Sequence, residues 1–236
     1  MSPKILLEYK GSIVLLMSSI VSQDVAAQWQ KELRNQIVFP QQRPIILPGP
    51  NVPEPRDVTF IGVTTAANLA YGPLSRPPTA PPPVVSAILA WANSLPYARL
   101  CKRAPYQAAL NVALINRYND GRDSMGWHCD QMACLGRDPF IVSLSLGATR
   151  NFGIRHNETK EEIWCPVMHG SVVVMLGRRF QQDWKHAVPK EPQCAKERWN
   201  LSLRHHLTKE QTRNVEVFWQ QNKKYLDLET ALNKLL

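Results

Sequence analysis

No apolar run in the 236 residues is long enough to span a bilayer. The nearest approach, Ser12 to Val21 behind Lys4 and Lys10, is interrupted by Ser18 and Ser19, and a helical pattern follows at once. It reads as a buried strand rather than a signal peptide. Cysteine is sparse: five residues, an odd number, with no Cys-x-x-Cys. That argues against a disulfide framework and for free thiols in a reducing, intracellular compartment, cytoplasmic or nuclear. Acidic residues are the scarcer charge, 19 against 28 Lys and Arg, for a formal net charge of +9. Such an excess favours anionic partners, nucleic acid first. Internal repeats and low-complexity runs are absent. The length and the 44% hydrophobic content suit one core-bearing domain of the larger kind.

Ser22 is placed to cap a helix, with Asp24 in its first turn and Trp29, Leu33 and Ile37 on one stripe. From Pro40 to Pro83 proline is frequent, which excludes interior helices and strands over much of that stretch. Val58 to Val63 still reads as a strand, so ordered loops over one face of a single domain are expected, not a linker. A second helix begins after Pro81-Pro82-Pro83, with Val84, Val85, Ile88, Leu89 and Ala92 on one stripe, and ends near Ser94. From Asn111 onward β signals dominate. Short strands are expected near 111–118, 126–130, 140–146, 150–155, 162–165, 171–176, 183–187 and 198–204. The expected class is mainly β with flanking helices (α+β), as a jelly roll or barrel. Thr208 and Gln211 form a capping box after the last strand. A further stretch places Tyr225, Leu228, Leu232, Leu235 and Leu236 on one face, expected to pack on the sheet.

The chemistry concentrates between Asn116 and Asp130. His128 and Asp130 stand at i and i+2, so on a strand they share a face. An imidazole and a carboxylate side by side are two thirds of the facial triad of non-haem Fe(II) oxygenases. His186 is the candidate third ligand. Cys129 and Cys134 flank the motif without the spacing of a usual zinc site and read as structural or incidental. Asn116 and Tyr118 are again i and i+2. In Arg198 to Arg204, Trp199, Leu201 and Leu203 make one strand face and Arg198, Asn200, Ser202 and Arg204 the other. A wholly polar face either meets water or lines a barrel that holds a charged ligand. Two guanidiniums on one face suit a dicarboxylate.

Asn-x-Tyr, His-x-Asp, a distant His and Arg-x-Asn-Leu-Ser-x-x-Arg, in that order, resemble the AlkB-like Fe(II)/2-oxoglutarate-dependent dioxygenases. The likeness runs from about Asn111 to Arg204 and includes Ser143-Leu144-Ser145-Leu146-Gly147 and His169-Gly170-Ser171. It implies a double-stranded β-helix. It implies Fe(II) on His128, Asp130 and His186, and 2-oxoglutarate and dioxygen as cosubstrates. Asn116, Tyr118, Arg198, Asn200, Ser202 and Arg204 would then line the 2-oxoglutarate pocket, with Arg198 on the 5-carboxylate. Residues 1–110 become strand and helix support with a nucleotide-recognition lid, 111–206 the oxygenase core, and 207–236 a helical extension, all one structural unit. The implied reaction removes methyl from N-alkylated bases such as 1-methyladenine and 3-methylcytosine, in DNA or RNA, by a monomer that does not enter membranes. Tyr71 matches the lid tyrosine in position, and Arg155 is a candidate substrate contact. Met132 stands where an acidic residue is common in the family, so base selection is expected to rest on stacking and pocket shape. Arg150, Arg155, Arg178, Arg179 and Lys185 are candidate phosphate contacts. Other readings remain open: an oxygenase of the same fold acting on protein or a small molecule, a non-catalytic nucleic-acid-binding protein, or a zinc hydrolase. The last leaves the paired arginines unexplained.

Overall fold

The computed structural model describes residues 3–41, 43, 53–62, 80–95, 109–130, 134–136 and 138–208. The chain opens with strands β1 (Lys4–Tyr9) and β2 (Ser12–Met17) and helix α1 (Gln23–Gln36). Strand β3 (Asp57–Gly62) and helix α2 (Pro83–Ser94) follow, then β4 (Val112–Tyr118), β5 (Met125–His128), β6 (Phe140–Gly147), β7 (Arg150–His156) and β8 (Glu162–Val167). Strand β9 (Ser171–Leu176), the short helix α3 (Arg178–Asp183), β10 (Trp184–Val188) and β11 (Arg198–Arg204) complete the described elements. A seven-stranded sheet runs β1-β2-β9-β6-β11-β4-β3 and a four-stranded sheet runs β5-β10-β7-β8. All pairings are antiparallel. This is the expected jelly roll.

Two elements escaped the sequence reading. β1 pairs with β2 through the turn residues Lys10 and Gly11, both at positive φ (45° and 74°). Two successive positive-φ residues are the signature of a tight hairpin turn, and a lysine there is atypical enough to hide it. α3 is a six-residue helix with no side-chain cap, too short to show a stripe.

Period-two alternation divides each central strand between two cores. Phe140, Val142, Leu144 and Leu146 of β6, and Trp199, Leu201 and Leu203 of β11, join one cluster with Trp29 and Leu33 of α1 and Val84, Val85 and Ile88 of α2. Both helices therefore cover the outer face of the large sheet. α1 starts where expected, Ser22 Oγ accepting from the Val25 amide. α2 has Pro83 in its first turn, where a missing amide hydrogen is harmless. The opposite parity, including Val14, Leu16, Ile141, Val173 and Met175, faces Phe152 and Ile154 of the small sheet. The segment before residue 111 supplies β1, β2 and β3 to the same large sheet.

Arg150 corrects one expectation. It is 1% exposed and so is no phosphate contact. Its guanidinium donates to the carbonyls of Asp120 (3.2 Å), Asp123 (2.9 Å) and Pro189, and to Glu191 Oε2 at 3.1 Å. It thus ties the loop after β4 to the loop after β10. Removing one partner of a buried ion pair typically costs about 3–5 kcal/mol. Arg150→Met should accordingly lower the melting temperature by about 10 °C in a chain of this size. A melting curve shifted by less than about 2 °C would show that the two loops hold without it.

Candidate metal centre and cosubstrate pocket

β5 and β10 are neighbours in the small sheet, and their register sets His186 opposite His128. The two rings lie 4.1 Å apart, centroid to centroid. Asp130, just beyond β5, completes the cluster: one ligand atom from each of the three residues lies within 4.8 Å of the others. His128 Nδ1 is 2.9 Å from the Gly126 carbonyl oxygen. A carbonyl only accepts, so Nδ1 carries the hydrogen and Nε2 keeps its lone pair for a metal. Burial, with His128 nearby, pushes the His186 pKa down to about 3, and burial lowers that of His128 too. Both imidazoles are therefore neutral near pH 7, the form that ligates. Burial raises the Asp130 carboxyl, but Arg204, His186 and His128 pull it further the other way, and it stays ionised.

The surroundings hold this triad rigidly. Arg204 donates to Asp130 Oδ1, while Asp130 Oδ2 is buried with no hydrogen-bond partner and lies 3.9 Å from His186 Nε2. A buried carboxylate oxygen is rarely left so. With two neutral imidazoles beside it, the donor set fits a divalent cation. Gln181 of α3 accepts from the Asp130 amide at 2.8 Å, and its neighbour Phe180 stacks on His186 at 6.0 Å. α3 therefore positions two of the three residues at once. Neither Gln181 nor Phe180 was singled out from sequence, because a six-residue helix gives no periodic signal. Outer partners of this kind typically carry 10- to 100-fold in metal affinity. Gln181→Leu should weaken Mn(II) binding, followed by calorimetry, about tenfold. Unchanged affinity would reduce Gln181 to core packing.

The polar face of β11 points into the barrel. Arg198, Asn200, Ser202 and Arg204 are all buried, at 2–8% exposure. β11 lies between β4 and β6, so Arg198 is opposite Tyr118 and Asn200 opposite Asn116. Asn116 Nδ2 donates to Asn200 Oδ1 at 3.3 Å, and Asn200 Nδ2 donates to Ser143 Oγ at 2.8 Å. Arg198 Nη2 donates to Ser145 Oγ at 2.8 Å, and its guanidinium lies 5.1 Å from the Tyr118 ring centroid. Its Nε and Nη1 are buried with no hydrogen-bond partner. Among the described residues no carboxylate lies within ion-pair distance of Arg198. Burial lowers its pKa, Tyr118 acting in opposition, yet a guanidinium stays charged in a protein. An anionic group of the right length would satisfy both nitrogens.

Three further residues line this interior. Ser143 and Ser145 are the small polar positions on the inner parity of β6, a signal present in the alternation of Ser-Leu-Ser. Arg56, 2% exposed, donates to Asn116 Oδ1 at 2.7 Å and to Glu54 Oε2 at 2.7 Å. Arg155 is not brought to the triad. It faces Glu162 at 3.7 Å and lies over the Trp127 ring at 4.4 Å. Tyr71, Met132 and the helices expected after Thr208 lie outside the described residues.

Comparison with known proteins accords with this geometry. The pattern of the 2OG-Fe(II) oxygenase superfamily matches residues 13–207. The human alpha-ketoglutarate-dependent dioxygenase alkB homolog 3 is 41% identical over 103 residues, covering 40% of this chain and 36% of that protein. The DNA oxidative demethylase ALKBH2 of Arabidopsis thaliana is 28% identical over 193 residues, 70% of this chain and 58% of that one. The match therefore spans only about a third of the length of relatives such as alkB homolog 3. Among solved structures, that of OsALKBH1 superposes with a TM-score of 0.57 at 18% identity, over 86% of this chain and all of that one.

Proposed function

We propose a function from one premise: the chain belongs to the 2OG-Fe(II) oxygenase superfamily. The proposed activity is Fe(II)- and 2-oxoglutarate-dependent demethylation of N-alkylated nucleic-acid bases, with formaldehyde and succinate as products. The observation that carries the oxygenase reading is Arg198, a fully buried guanidinium with two unpartnered nitrogens on the same barrel interior as a buried His-Asp-His cluster. One site asks for a divalent cation and the other for a carboxylate. A dicarboxylate that ligates the metal with one end and pairs with Arg198 at the other answers both.

On this reading His128, Asp130 and His186 hold the iron. Bound there with 2-oxoglutarate and dioxygen, it supplies the oxidation of the N-methyl carbon, whose hydroxylated form leaves the base as formaldehyde. The protein's own part is placement. Arg198, braced by Ser145 and the Tyr118 ring, fixes the distal carboxylate. Asn116, held by Arg56 and Asn200, keeps its amide on the same wall. Arg204 neutralises one oxygen of Asp130 and leaves the other facing His186. The rings of Phe152 and Phe180 flank His186 and exclude water from that side.

The nucleic-acid substrate is supported by the excess of basic residues and by the names of the relatives, one of them a DNA oxidative demethylase. A base edge is reachable only when unpaired or flipped out. The test is formaldehyde release from DNA and RNA oligomers carrying 1-methyladenine or 3-methylcytosine, assayed side by side. Release that needs both Fe(II) and 2-oxoglutarate is expected from at least one. If decarboxylation of 2-oxoglutarate proceeds and none of the oligomers yields formaldehyde, the substrate is protein or a small molecule.

A further inference from the structure

The small sheet carries the metal centre on its inner face, and its outer face bears a group of side chains with no part in that chemistry. Ile154 is the register partner of His186 and faces inward, so its neighbour Arg155, opposite both Lys185 and Glu162, faces outward. Trp164 pairs with Gly153 and lies flat across it; a Cβ on Gly153 would fall 2.4 Å from the Trp164 ring. The bare glycine is what seats the indole on the sheet. Trp127, next to His128 on β5, meets Trp164 edge to face at 5.3 Å and lies beneath the Arg155 guanidinium at 4.4 Å. Glu162 pins the cluster, accepting from Trp164 Nε1 at 2.8 Å and facing Arg155 at 3.7 Å. Trp164 nevertheless remains 44% exposed. Among the described residues no carboxylate pairs with Lys185.

We propose that this outer face, built from Trp127, Trp164, Arg155 and Lys185, is a stacking platform for an unpaired nucleic-acid strand beside the base being demethylated. The proposal rests on the nucleic-acid reading above and narrows it to single-stranded substrate. Fixed aromatic faces interleaved with cations match a polyanion that also offers planar rings. A duplex keeps its bases stacked on one another and presents none to an exposed indole. The net charge of +9 has the complementary sign. Position supports the same occupant. β5 is the edge strand of the small sheet, with His128 on its inner side and Trp127 on its outer side. A strand that leaves its target base at the metal centre and rounds that edge meets the Arg155 guanidinium stacked on Trp127 first and the exposed Trp164 next. Four strands at about 4.8 Å spacing make the platform about 15 Å across, room for a short run of nucleotides.

The test uses the full chain and a labelled, unmethylated single strand of about ten nucleotides, within the site size of such surfaces. Fluorescence anisotropy reads affinity over a series of salt concentrations. Trp164→Ala should weaken binding about tenfold, the effect of losing one stacked base, while Trp164→Phe keeps most of the affinity. Arg155→Gln should reduce the slope of log affinity against log salt by about one. Three results would each overturn the proposal: Trp164→Ala binding within twofold of wild type, a duplex of equal length binding as tightly as the single strand, or a loss of self-association in sedimentation when Trp164 is replaced. The last would mean that a second copy of the chain occupies this face. Formaldehyde plays no part in the readout, so failure of the platform and failure of the demethylase reading register separately.

Discussion

His128→Ala and His186→Ala should each reduce iron-dependent turnover to background, while the circular dichroism spectrum should stay that of the wild type. Neither imidazole is replaceable, because a facial triad has no spare ligand, and no other His, Asp or Glu joins the cluster among the described residues. Both side chains are neutral, so their removal strands no buried charge. Asp130 differs. Its carboxylate is the partner of the buried Arg204, and its amide is held by Gln181. Asp130→Ala should therefore lose stability as well as turnover, by roughly 3–5 kcal/mol, since it leaves Arg204 buried without a counter-charge. Asp130→Asn keeps the volume and part of the hydrogen bonding and should unfold later in a urea titration than the alanine variant, with no more activity. Near-normal iron-dependent turnover in any of the four variants would remove that residue from the metal site.

The second large effect is at Arg198. Arg198→Ala should raise the 2-oxoglutarate concentration needed for half-maximal turnover on the order of 100-fold, as loss of one partner of a buried charge pair does. Asn116→Ala, which removes an uncharged amide from the pocket wall and leaves Arg198 in place, should raise it about fivefold. A thermal measurement separates binding from chemistry. Wild type should melt at a higher temperature as 2-oxoglutarate is added, because a ligand that binds only the folded chain stabilises it by mass action. Arg198→Met should not respond. Without ligand, Arg198→Met should melt no lower than wild type, because the replaced guanidinium is buried with Nε and Nη1 unpartnered. Equal, small shifts in cosubstrate requirement for Arg198→Ala and Asn116→Ala would mean that the distal carboxylate is held elsewhere.

Much of this architecture was legible in the residues alone. The alternation in Arg198 to Arg204 determined which side chains share a face, whereas β5 ends at His128 and Asp130 just beyond it is held in place by Gln181 and Arg204. Proline at Pro83 and the cap at Ser22 marked two helix starts that the structure reproduces. These are local signals: each depends on residues a few positions apart, where backbone geometry leaves little choice. What they left open was direction. Whether the polar face of β11 meets water or the barrel interior is not written in its own seven residues. It follows from β11 lying between β4 and β6, with α1 and α2 covering the apolar side. Only the tertiary structure decided that Arg150 is a buried staple and not a phosphate contact, that α3 places Gln181 and Phe180 around the metal ligands, and that Arg56 reaches Asn116 from 60 positions away. The physical reason is common to all of them. A strand's period is set by its own backbone, but the burial of a charge, and the partner that makes burial tolerable, are set by chain segments that meet only when the sheet closes.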